Sequence, residues 1–447
     1  MDKNEKNYIA LVLLHVAIGA LIYLIQPISK LYGFSIFILG LYYVIKTRNR
    51  NNEVLIVAAY IVGSEVFLRM TGGNILYEFS KYGVMIFLSM GMYYSGFSKN
   101  AVPFWIYLLL LLPGVVIATE TLNLQSDLRT SIAFNISGPA CLGIASIYTY
   151  NRKIIYSQLN NLLLSLGLPI ISTTVYLILY TPELKTILVS TSSNSATSGG
   201  FGPNQVATIL GIGMFIFFTR LILVSKTKLL FIFNLIILFN IVYRGLVTFS
   251  RGGMLTGFIM IILFLVMLYK DISSYARSQL YILFVFILAT FVLTWMYTSS
   301  QTSGLIDKRY ANQDATGRAK ESKFTGREEI WDSEIAAFED HPIFGIGVAK
   351  GLEIRKEKTG ETITSHNEIT RTLAEHGTTG IIALLIVFFT PFFLYLDNKQ
   401  NIFIFCFLVF WLMTINHAAM RIAASAFVYS LSLLKVYMDE ETPIHRE

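Results

Sequence analysis

Apolar residues along this chain run in long blocks instead of recurring at amphipathic spacing. A block of about 18 or more apolar residues is the length that a helix needs to cross a bilayer. Allowing for short ones, such blocks predict about 14 helices. They lie near residues 8–25, 31–45, 54–68, 75–95, 102–118, 131–150, 161–180, 205–219, 229–248, 252–269, 279–297, 379–396, 401–416 and 418–437. The last two can instead form one re-entrant pair. The fold class is therefore all-α: a polytopic helical membrane protein of about 12–14 spans with one long extracytoplasmic loop. Lys3 and Lys6 precede the first apolar run, as in a signal peptide. No small-residue cleavage site follows it and further spans come at once, so it reads as a retained helix.

With the N-terminus inside, about 16 Lys and Arg fall in inner segments and roughly seven in short outer loops, the positive-inside bias. Both termini then face the cytoplasm. Two polar segments, 181–204 and 298–378, interrupt the short loops and fall outside. Long loops without regular patterning are usually functional or disordered. The chain divides into membrane helices over 1–297, an extracytoplasmic loop with short helices over 298–378, and closing helices with a short cytoplasmic tail over 379–447.

Composition agrees. Of 447 residues, 54% are hydrophobic and 14% charged, against about a quarter charged in a soluble domain. The net charge of +7 is accounted for by the inner loops, and no basic stretch interleaved with aromatics suggests nucleic acid. Cys141 and Cys406 sit in apolar runs, which argues against a disulfide framework or a zinc site.

Three polar places carry candidate chemistry. Ser365-His366-Asn367-Glu368 has the form of a capping box opening a helix that stops at Gly377. His366 would then sit in the first turn, where the helix dipole disfavours a charged imidazole and leaves a neutral general base. A histidine that only helps cap a loop helix fits the pattern equally well. Arg251, in Thr248-Phe-Ser-Arg-Gly-Gly253, lies at an outer membrane edge, and Arg244, two turns earlier, can share its face. A guanidinium fork suits diphosphate; snorkelling to lipid headgroups is the plainer account. Arg327 begins Gly326-Arg-Glu-Glu-Ile-Trp331, and Ile330 or Trp331, Ile335 and Phe338 predict a short amphipathic helix ending before His341-Pro342. Glu65, Arg69, Glu78, Lys81 and Glu120 gather at outer helix ends, either as i,i+3 and i,i+4 pairs or as the lining of an outward polar cavity. There is no H-E-x-x-H, P-loop or C-x-x-C, so a site without metal is expected.

In order, Gly202-Pro-Asn204, Ser250-Arg-Gly-Gly253, Gly326-Arg327 with Trp331, His341-Pro342-x-Phe-Gly-x-Gly347, and His366-Asn367 leading to Leu373-Ala-Glu-x-Gly377 and Gly380 resemble the bacterial O-antigen ligase and O-antigen polymerase superfamily. The resemblance covers roughly residues 200–390. It implies an inverting membrane glycosyltransferase, independent of metal and cofactor, in the bacterial cytoplasmic (inner) membrane. Such an enzyme moves a glycan from an undecaprenyl-diphosphate carrier to an acceptor hydroxyl, on lipid A core or a growing glycan, at the periplasmic face. It implies His366 as the catalytic base, with Arg251 and Arg327 on the diphosphate; Arg244, Asn367 and Asn204 are further candidates for substrate binding. Ligase and repeat-unit polymerase both remain open. A flippase or transporter of lipid-linked glycans is the rival from another class, although transporters put polar residues near the bilayer midplane.

Overall fold

The computed structural model describes residues 3–123, 127–181, 183–271, 274–320, 328–360 and 363–437. Helices dominate. The first seven are α1 (Lys3–Leu24), α2 (Ile28–Thr47), α3 (Glu53–Thr71), α4 (Phe79–Ser95), α5 (Val102–Thr121), α6 (Leu128–Thr149) and α7 (Tyr156–Tyr180). After the short α8 (Leu184–Ile187) come α9 (Pro203–Leu223), α10 (Lys228–Val247), α11 (Arg251–Asp271) and α12 (Ser274–Gln301). The polar loop holds α13 (Leu305–Tyr310), α14 (Glu328–Asp340) and α15 (Lys350–Thr359). The chain then continues through α16 (Glu368–Asp397), α17 (Ile404–His417) and α18 (Ala423–Leu431). Among the described residues, 11 helices are long and apolar enough to cross a membrane. The fold class read from the apolar blocks is the one observed.

The first twelve blocks each correspond to a helix; of the 14, the last two fall short of separate spans. At 17 residues α4 still reaches both ends of the bundle, Lys81 donating to Ser137 (3.1 Å) at one and Ser95 accepting from Arg152 Nη1 (3.4 Å) at the other. The last pair, α17 and α18, has 14 and 9 residues, too short for about 30 Å of hydrocarbon at 1.5 Å per residue. They run antiparallel, packed on each other and on α6, α11 and α3.

Two sets of loops meet at opposite ends of the bundle. At one end, Arg152 Nη1 donates to Asn52 Oδ1 (3.2 Å), and Lys153–Ile155 pairs in parallel with Lys435–Tyr437. At the other, Arg69 on α3 reaches the carbonyl of Arg421 (3.4 Å), and Thr191 donates to Gln313 (2.8 Å). This second end holds the long polar loop.

Polar residues at that end are buried in pairs. Arg69 meets Glu65 (2.8 Å) and Glu78 (3.5 Å), and Lys81 meets Glu78 (2.8 Å) and Ser137 (3.1 Å). Four charges inside a bundle persist because each has an opposite neighbour. Of the five predicted together, only Glu120 stands apart, exposed at the end of α5.

Candidate functional site

The site is built around one turn, residues 417–423, between α17 and α18. On one side His417 Nδ1 contacts the Met413 carbonyl (2.8 Å) and Nε2 contacts Thr208 Oγ1 on α9 (3.1 Å). Its ring lies against Gly252, where an added Cβ would stand 2.6 Å from it. Gly253 is closed to side chains by α9: a Cβ there would meet the Ala207 carbonyl carbon at 2.3 Å. The paired glycines of the Ser-Arg-Gly-Gly motif therefore let α11 press on α9 and α17, which fixes Arg251 at the first position of α11. Ser250 Oγ donates to Asn204 Oδ1 (2.8 Å), so the Gly-Pro-Asn and Ser-Arg-Gly-Gly motifs are joined.

On its other side the same turn holds His366. Ala419 N donates to the His366 carbonyl (3.1 Å), and Arg421 Nη2 donates to the carbonyls of Thr364 (3.3 Å) and Ser365 (2.7 Å). Met420 N donates to the buried Glu368 (3.3 Å), which is itself paired with Arg371. Arg251 and His366 are thus carried on elements that grip one short turn from both sides.

The cap differs from its prediction. Asn367, not Ser365, caps α16, its Oδ1 accepting from Ile369 N (2.9 Å). Ser365 accepts from Asn367 N (3.2 Å) and closes a turn before the helix. Serine and asparagine both cap well, and two such signals in register leave the start ambiguous by two residues. His366 precedes α16, so the first-turn dipole argument does not apply to it. Gly377 does break the helix, at φ 60° and ψ −141°. The break seats the His341–Gly347 turn: Ile346 N donates to Ala374 O (2.8 Å), and Thr378 N to Pro342 O (2.8 Å).

Arg251 has cationic company that the sequence did not single out. Arg309 Nε donates to the Phe249 carbonyl (2.9 Å), and Arg251 Nη1 to the Arg309 carbonyl (3.4 Å). Phe249 holds a left-handed φ of 57°, a conformation that costs energy and concentrates at functional sites. A hairpin bridging Gln313 and Ala319 brings Lys320 back, its N–H on Asn312 O (3.0 Å). Burial, then Arg309 and Arg251, lower the Lys320 ammonium. Burial pushes the neighbouring Tyr310 hydroxyl up to about 12, against the pull of Arg251 and Arg309. Among the described residues Arg251 makes no ion pair. Cations gathered at a helix N-terminus form an anion-binding arrangement.

Arg244 is spent elsewhere. Its Nη1 and Nη2 donate to the carbonyls of Thr181 and Ile178 (3.2 Å each) at the end of α7, and it is 4% exposed. It satisfies orphan carbonyls of a helix terminus. Arg244→Met is expected to cost about 1–3 kcal/mol of stability, read as a lower melting temperature in detergent, with turnover of the folded protein unchanged. Lost turnover at an unchanged melting temperature would instead make Arg244 a substrate contact. Arg327 and Gly326 lie outside the described residues. The amphipathic helix that follows is α14, but its buried face holds Ile330 and Glu334, while Ile335 is 43% exposed.

Fold and site define a class: a multi-pass α-helical membrane protein with its polar machinery gathered at one end. Residues 233–385 match the family described as O-antigen ligase. The matched segment includes α11, the polar loop, His366 and the Gly377 break. An uncharacterized protein of Haemophilus influenzae is 25% identical over 167 residues, 34% of this chain and 40% of that protein. The match thus spans under half of that relative's length.

Proposed function

We propose that this protein is a glycosyltransferase that moves a glycan from a polyprenyl-diphosphate carrier to an acceptor hydroxyl at the extracytoplasmic face of the bacterial cytoplasmic membrane. The observation that carries the reading is the 417–423 turn: one segment grips both the histidine-bearing coil segment and the helix that begins with Arg251. A base and an anion site on one rigid support is what displacement of a diphosphate by a hydroxyl needs.

In the mechanism we infer, His366 takes the proton of the acceptor hydroxyl as its oxygen bonds to the anomeric carbon. The bond from that carbon to the diphosphate oxygen breaks, and the electron pair leaves with the polyprenyl diphosphate. Arg251, Arg309, Lys320 and Arg327 meet the growing charge. Asn204 orients the Ser250–Arg251 corner, and Asn367 starts the helix behind His366. One displacement inverts the anomeric configuration.

The ligase reading, with lipid A core as acceptor, is preferred over a repeat-unit polymerase and over a flippase. The polar groups gathered at one end, away from the midplane, favour an enzyme over a transporter. The test is the glycan profile of the native host carrying His366→Ala, beside its lipid-linked pool. A ligase leaves long chains on the carrier and none on the lipid core. Single repeat units on the acceptor would make the protein a polymerase. An unchanged profile, with the protein present in the membrane, would overturn the enzyme reading.

A further inference from the structure

The segment before α16 has an unusual hydrogen-bond inventory. Five successive carbonyls, 363 to 367, all accept. Ile363 O takes Arg355 Nε (2.9 Å), Thr364 O and Ser365 O take Arg421, His366 O takes Ala419 N (3.1 Å), and Asn367 O takes Arg371 N (3.3 Å). With each carbonyl engaged, the backbone of this coil stretch is fixed by its partners. Arg421 and Ala419 supply the grip from the membrane helices. The grip from the polar loop converges on one residue, Glu334.

Glu334 sits two turns into α14 and is 2% exposed. Its Oε1 accepts from Arg355 Nη1 (3.2 Å), and its Oε2 from Ser365 Oγ (3.2 Å) and Thr370 Oγ1 (2.6 Å). These donors come from α15, from the residue beside His366, and from the first turn of α16. A carboxylate has about four acceptor sites, and three are filled by three separate segments. Burial pushes the Glu334 carboxyl up, while Thr370, Arg355, Ser365 and Arg371 pull it down. A buried carboxylate is costly unless its partners are in place, so it enforces one relative arrangement of those segments.

Resting on the reading of His366 as the base, we propose that Glu334 is a positioning residue: it clamps α14, α15 and the His366 segment together, and so sets the base at its working place. It touches neither substrate nor the reacting atoms. Two substitutions remove the clamp with little change of volume: Glu334→Gln, which keeps the shape and loses the charge, and Thr370→Val, which removes one donor alone. Thr370→Ser keeps that donor and serves as the conservative control.

The experiment uses the purified full chain in liposomes, with lipid-linked glycan and lipid acceptor extracted from host membranes that lack this protein. Thr370→Val should lower kcat about tenfold or more with KM for the lipid donor unchanged and the melting temperature close to wild type; Glu334→Gln, which leaves the buried Arg355 without its carboxylate, should lose kcat likewise and melt lower. Thr370→Ser should keep kcat. Amide hydrogen exchange over 363–370 should rise by a similar factor in the first two variants, with α15 also loosened in Glu334→Gln through the lost Arg355 contact, and should stay at the wild-type level in the membrane helices. Wild-type kcat and exchange in both would overturn the clamp. So would a lower melting temperature with full kcat in the folded fraction, which makes Glu334 a stability residue only. A wild-type protein that leaves the donor intact defeats the proposed function itself, and with it Glu334's catalytic role. Exchange would still decide whether Glu334 holds the segment.

Discussion

Arg251→Ala is expected to lower kcat for glycan transfer about 10²–10³-fold, the loss seen when one preorganised donor to a developing anion is removed. Arg251 begins α11, whose N-terminal dipole adds to its charge. The glycines after it are locked against α9 and α17, so the guanidinium has little freedom to relax away. Arg251→Lys should recover part of the loss, because it restores charge but not the planar fork. Arg309→Ala should cost less, since Arg309 Nε is committed to the Phe249 carbonyl. Single-turnover kinetics with lipid-linked donor separates these cases. An Arg251→Ala enzyme with wild-type kcat and only weaker membrane retention would reduce Arg251 to a headgroup contact.

His366→Ala should cost about 10²–10⁴-fold, the usual worth of a positioned acid–base group. Its pH signature has a definite sign. A base works when neutral, so the wild-type rate falls on acidification as the imidazole takes up a proton, and rises to a plateau above it. In His366→Ala the residual rate should lose that acid limb. The coil segment carrying His366 stays pinned through backbone carbonyls, so the variant should fold. An acid limb that survives the substitution unchanged would place the titrating group elsewhere.

The membrane helices were legible because about 20 apolar residues in a row admit little but a span. Gly377 was legible too, since a glycine ending a capped helix marks a stop. The Ser-Arg-Gly-Gly and Gly-Pro-Asn motifs were visible as motifs, but their junction through Ser250 and Asn204, 46 positions apart, carries no local signal. Glu334 was missed for a physical reason. On a short polar helix a glutamate reads as a solvated residue, and its burial depends on donors 21 to 36 residues away. Arg309 in α13 and Lys320 at the end of the 312–320 hairpin carry no local signal of their place beside Arg251. The closing helices were read as spans from their apolar character; packing on each other, rather than crossing, explains their 14- and 9-residue lengths.

The most direct test is glycan transfer by the purified protein in liposomes, with lipid-linked donor and lipid acceptor as the only added substrates. The measured quantities are free polyprenyl diphosphate and the anomeric configuration of the new bond. The account predicts stoichiometric release with the wild type, inversion at the transferred sugar, and release down by at least about 10²-fold with His366→Ala. Retention of configuration, or equal release by His366→Ala, would contradict it.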